Sequence, residues 1–71
     1  MNIESTVSGT ILQILVAPGD AISVDQEVAI IESMKMEIPV LAEIAGIVDE
    51  VLVFEGDTIE EGDVLASLEG V

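Results

Sequence analysis

A chain of 71 residues makes one small domain, whose core hides only about 60% of the surface that an unfolded chain of this length exposes. Fifteen acidic residues stand against a single basic one, Lys35, giving a formal net charge of −14; lacking the cations that would neutralise phosphate, it is expected to bind neither nucleic acid nor an anionic membrane. Cysteine and histidine are both absent, which excludes disulfides, thiolate metal sites and the commonest general base, and the 51% hydrophobic content never gathers into the roughly 18 consecutive apolar residues of a membrane span.

The start, Met1-Asn2-Ile3-Glu4, is not a basic segment leading into an apolar one, so no leader peptide is read there and a cytoplasmic protein is expected. Gly9 to Val16 is a short apolar run rich in Ile and Val, a strand by composition. Pro18-Gly19-Asp20 ends it with a turn, and Val24-Asp25-Gln26 is a second turn in which Asp occupies a position suited to Gly. Glu27 to Ser33 is the next strand. Propensity allows a helix from Val28 to Ile38, before Pro39, since Ala, Met, Lys and Glu are good helix formers.

The rest of the chain decides against that helix. Displaced by about 37 residues, the two halves align without gaps: Gly9 on Gly46, Leu15 on Leu52, Gly19-Asp20 on Gly56-Asp57, Ile22 on Ile59, Ala29 on Ala66 and Glu32 on Glu69. Gly46 to Phe54 is therefore the second copy of the first strand, Glu55-Gly56-Asp57 and Glu61-Gly62-Asp63 are the second pair of turns, and Val64 to Glu69 closes the second unit. In this register Ile3 to Val7 corresponds to Val40 to Ile44, and Val28 to Glu32 to a strand in the other copy. The chain must then reverse between about Ser33 and Glu37, with Lys35 near the tip. The counterpart of that tip is the pair of chain termini, expected at the opposite pole. Two strand–turn–strand units with dense turns imply a small all-β sandwich or barrel with pseudo-twofold symmetry.

Chemistry-bearing patterns are few. No Ser-His or Cys-His pair and no Gly-rich phosphate loop is present, so no catalytic residue is expected. The acids fall in turns and on polar strand faces, as solvated surface; Glu60-Glu61-Gly62-Asp63 lacks the alternating Asp of a calcium loop, so no metal site is expected. The acidity fits a soluble surface, adaptation to high salt, or a basic partner. Glu32-Ser33-Met34-Lys35-Met36-Glu37-Ile38-Pro39 is the distinctive segment. From the residues alone, Met34 and Met36 fill gaps in a core or mark a docking surface.

Met34-Lys35-Met36 resembles the Met-Lys-Met attachment motif of the biotinyl domains of biotin-dependent carboxylases. Glu32 matches the acid three residues before the lysine. Gly19-Asp20-x-Ile22 with Gln26, and Gly56-Asp57-x-Ile59 with Gly62, resemble that family's turn pairs, so the likeness covers nearly the whole chain. It departs at Thr6, Ser8 and Glu43, where the family often has prolines, and at Asp25, where it has glycine. The resemblance implies a barrel-sandwich hybrid of two four-stranded sheets with the attachment lysine at a hairpin tip. It implies a non-catalytic carrier, with biotin joined to the Lys35 amine by a biotin protein ligase that recognises Met34 and Met36. Carboxybiotin would then shuttle from a biotin carboxylase to a carboxyltransferase. Lipoyl carrier domains of 2-oxoacid dehydrogenase-type complexes share the fold, but usually carry Asp before the lysine and a small residue after it. An unmodified structural or interaction module of the same fold is the reading of another class.

Overall fold

The computed structural model describes residues 1–69. Eight strands follow one another: β1 (Asn2–Glu4), β2 (Gly9–Ile14), β3 (Ala21–Ile22), β4 (Glu27–Ser33), β5 (Met36–Leu41), β6 (Gly46–Val51), β7 (Thr58–Ile59) and β8 (Val64–Glu69). They form two antiparallel four-stranded sheets, ordered β1-β8-β6-β3 and β5-β4-β2-β7. Each sheet takes two strands from each half of the chain, so neither half can fold its sheet alone. The all-β sandwich with pseudo-twofold symmetry expected from the sequence is the observed architecture. The two-residue strands β3 and β7 are the elements that composition did not distinguish from their flanking turns.

The internal repeat extends to individual hydrogen bonds. Four turns have a backbone N–H of the fourth residue donating to the carbonyl of the first: Asp20 to Ala17, Gln26 to Ser23, Asp57 to Phe54 and Asp63 to Glu60. In each, a side-chain oxygen of the fourth residue accepts from the N–H of the first, at 2.9–3.0 Å. Gly19, Asp25, Gly56 and Gly62 take the third position with φ between 71° and 95°, the pattern of a type II turn. Asp25 thus adopts the left-handed conformation of its partner Gly62 despite its Cβ, as an Asp can. The turns also tie the halves together: Gly56 N–H donates to the Ile11 carbonyl and Gly19 N–H to the Val48 carbonyl, both at 2.8 Å.

The core is built from matched positions. Ile3 and Val40, Ile11 and Val48, Ile22 and Ile59, Val28 and Leu65, Ala29 and Ala66, and Ile31 and Leu68 are all buried. Ser5, the repeat partner of Ala42, is the buried polar residue among the described residues. Its hydroxyl donates to the Val7 carbonyl and accepts from the Val7 N–H, so it leaves no unmet group inside.

The segment that propensity allowed as a helix is strand. Val28, Ala29 and Ile31 are buried, and β4 is flanked by β2 on one side and β5 on the other. Tertiary pairing on both edges, with β-branched residues inside, outweighs a helix preference of a few tenths of a kcal/mol per residue. Pro39, opposite Ile30, is accommodated because β5 is an edge strand and need not donate outward. At the other sheet's edge, the Leu68 N–H donates to the carbonyl of Met1, bringing the N-terminus beside β8 where symmetry expects it. Residues 70 and 71, part of the expected terminal pole, lie outside the described residues.

Candidate functional site

β4 and β5 run as a continuous hairpin whose last paired residues are Ser33 and Met36. Met34 and Lys35 are left as a two-residue loop, with φ of 53° and 65°. Two consecutive positive φ values mark a type I′ turn, the connection whose twist matches the right-handed twist of its strands. Such turns favour Asn-Gly; an L-residue with a larger side chain costs roughly 1–2 kcal/mol at each position. The turn is imposed by the ladder beneath it, which explains why symmetry revealed the reversal and turn chemistry did not.

The loop places Lys35 at the tip, exposed to solvent. Met34 is 89% exposed and Met36 58%, so neither fills the core, and the docking-surface alternative is the one consistent with their position. Glu32 and Glu37 face each other across the ladder one pair below Ser33 and Met36, so carboxylates flank the chain's only side-chain cation. All three sequence-predicted residues therefore come together on one protruding hairpin.

Two features escaped the sequence reading. A Cβ on Gly9 would overlap the backbone carbonyl oxygen of Glu32 and stand 2.8 Å from Ile31 Cγ2, so β2 presses directly on β4 near the loop end of the hairpin. Its repeat partner Gly46 has nothing nearer than 3.5 Å. The alignment of the two glycines was the available signal, but it made them look equivalent. Phe54, the sole aromatic residue, is 74% exposed and borders a shallow apolar groove with Ile14, Val16, Val51 and Val53. Neither this groove nor the one around Ser5 includes Lys35.

The chemical capacity of the site is narrow. Asp20, Asp57 and Asp63 are engaged in closing turns, and among the described residues no carboxylate is hydrogen-bonded to a serine or threonine hydroxyl. What the hairpin offers is one primary amine held away from the body, between two apolar thioethers. It suits acylation by another protein and display of whatever is attached.

Comparison with known proteins agrees with this geometry. The biotin/lipoyl family model, described as "Biotin-requiring enzyme", matches residues 1–68. A "Biotin/lipoyl attachment protein" of Bacillus subtilis is 50% identical over 68 residues, which cover 96% of this chain and 93% of that protein. The "Biotinylated protein TB7.3 homolog" of Mycobacterium leprae is 43% identical over 65 residues, 92% of each chain. Among solved structures, the urea carboxylase of Kluyveromyces lactis matches with a TM-score of 0.88 and 33% identity, over 97% of this chain and 6% of the carboxylase. The chain belongs to the biotin/lipoyl attachment family.

Proposed function

We propose that this protein is a biotin carrier and that Lys35 is its attachment residue. The observation that carries the reading is the exposed Met34-Lys35-Met36 hairpin tip, with the only lysine of the chain at its end. The exposed amine fits a covalently tethered group: it stands on a two-residue loop, and Lys35 lines neither the Phe54 groove nor the one around Ser5. A biotin protein ligase would join biotin to the Lys35 Nζ as an amide, removing the cation. The attached biotin supplies the carboxyl-carrying ring, received from a biotin carboxylase and presented to a carboxyltransferase. This chain's residues hold the hairpin, orient the lysine and present Met34 and Met36 to the ligase. Tethering keeps the cofactor at an effective concentration of order millimolar for both partners. Relatives named as a biotinylated protein and as a biotin/lipoyl attachment protein support a carrier that does no catalysis itself. Met34 and Met36, where lipoyl domains usually have Asp and a small residue, favour biotin over lipoate.

Intact mass after incubation with ATP, biotin and a biotin protein ligase tests this. One biotin is expected on the chain and none on Lys35→Arg, because a guanidinium keeps the charge but offers no comparable nucleophile. A parallel incubation with lipoate and a lipoate ligase should leave the mass unchanged. Biotin on the Lys35→Arg protein, or lipoate alone on the unaltered one, would overturn the assignment.

A further inference from the structure

The chain contains no cysteine, histidine, tryptophan or tyrosine, so its three methionines are its only readily oxidised side chains. Two of the three flank its only lysine, and both project from the hairpin rather than into the core. Met34 is the most exposed of the large hydrophobic residues at 89%, and Met1, at 57%, lies on the edge of the other sheet. Of the three thioethers, Met34 at the lysine-bearing tip is therefore the one most open to a two-electron oxidant.

We propose that Met34 and Met36 form a reversible oxidation site that decides whether Lys35 can be loaded. A peroxide transfers one oxygen to the thioether: the O–O bond breaks, an S–O bond forms, sulfur loses two electrons and water leaves when the oxidant is hydrogen peroxide. The product sulfoxide is polar and chiral, and methionine sulfoxide reductases return it to the thioether. A ligase that closes on an apolar tip would have to desolvate the sulfoxide, which opposes binding. Because neither methionine is in the core, the fold is unaffected, and a domain already loaded keeps its cofactor. Oxidising conditions would thus stop new loading without destroying the carrier. The inference rests on reading Lys35 as the attachment residue.

The unloaded full-length chain is treated with hydrogen peroxide, the peroxide is removed with catalase, and peptide mass locates the added oxygens. Initial rates of biotin ligation are then measured across chain concentrations. Met34 is expected to oxidise faster than Met1. Oxidation at Met34 and Met36 should lower kcat/KM for ligation about tenfold or more, leave the melting temperature unchanged, and be undone by methionine sulfoxide reductases. A Met34→Leu, Met36→Leu protein, oxidised only at Met1, should show the same rate before and after peroxide. The proposal is overturned if the doubly oxidised chain loads as fast as the untreated one, or if the leucine variant is slowed to the same degree. Should the leucine variant load too slowly to measure, loss and repair in the unaltered chain decide the matter. An untreated chain that takes no biotin would sink the carrier reading itself, before any oxidation, and this inference with it.

Discussion

The two halves of this chain repeat each other's turns, bulges and core positions, yet only the first leads into the exposed Met34-Lys35 loop. β2 and β6 are the matched strands that show the difference best. Both begin with glycine, both lose register after two pairs, at Ile11/Gln13 and Val48/Glu50, and both bury the third residue. Gly46 meets only ordinary contacts, whereas Gly9 lies against the Glu32 carbonyl, three residues before Lys35. The symmetric framework supplies stability twice over. The departures from symmetry, at Gly9, Met34 and Lys35, concentrate where the chain presents its amine.

The sharpest break in this comparison is to add one methyl group to each glycine. Gly9→Ala forces β2 and β4 apart against backbone and should cost about 2–3 kcal/mol, a large part of the roughly 4–10 kcal/mol expected of a chain this short. Gly46→Ala should be neutral or stabilising by up to about 1 kcal/mol, through the unfolded chain's lost freedom. Denaturant unfolding of both proteins measures the gap. Ligation adds a second readout: at a temperature where Gly9→Ala is folded, β4 beside Glu32 is still displaced just below the loop, so loading of Lys35 should stay slow. Equal stabilities for the two variants would mean that Gly9 makes no special contact.

Gly56→Val tests the other kind of glycine. Nothing lies within 4 Å of a Cβ there, so any loss comes from φ of +95°. For a β-branched residue that is about 1–3 kcal/mol, below the effect at Gly9. Since Gly56 bonds to β2 and touches neither strand of the hairpin through a backbone hydrogen bond, loading should fall only as far as the protein unfolds, and cooling should restore it. A loading defect that persists in the folded Gly56→Val protein would mean that the turn acts on Lys35 directly.

Most of this fold was legible because turn residues and apolar residues agree in both copies. Gly19, Gly56 and Gly62 carry positive φ as their identity suggests, and β4 and β8 have the bounds that the repeat assigned them. The reversal at Lys35 was legible from symmetry, because the repeat makes strand of both Val28 to Glu32 and Val40 to Ile44 and the chain must turn back between them. Two things were not. The close approach of Gly9 depends on how β2 and β4 pair side by side in one sheet, which no local pattern records. The positive φ of Met34 and Lys35 runs against their own preferences and is set by the hairpin ladder, so no turn signature exists to read.

That strain can be relieved at some expense to function. Met34→Asn places a residue that tolerates positive φ at the first loop position and should stabilise the protein by about 0.5–1 kcal/mol. The same change removes an apolar side chain from beside Lys35, so ligation should slow. A melting curve and a ligation rate on one sample check both signs. If loading is unchanged while stability rises, Met34 is not part of what the ligase reads.

Asp25 is the smallest departure from symmetry and gives the smallest expected effect. It holds φ of 71° where its partner Gly62 has 93°. Asp25→Gly removes the left-handed penalty but gives the unfolded chain more freedom, leaving a net gain of about 0.5 kcal/mol, roughly 2–4 °C in melting temperature for a domain of this size. It also removes one negative charge from a chain that carries fourteen in excess. The two contributions separate with salt. At 1 M the Debye length is about 3 Å and the charge contribution is screened, so whatever gain survives there belongs to the backbone. Loading of Lys35 should be unchanged, since the turn of Asp25 is closed by Ser23 and Gln26 and bonded to Ala42, away from the β4–β5 loop. A gain that vanishes in salt would show that Asp25 fits its left-handed position as well as glycine does, and that the repeat lost nothing there but a neutral residue.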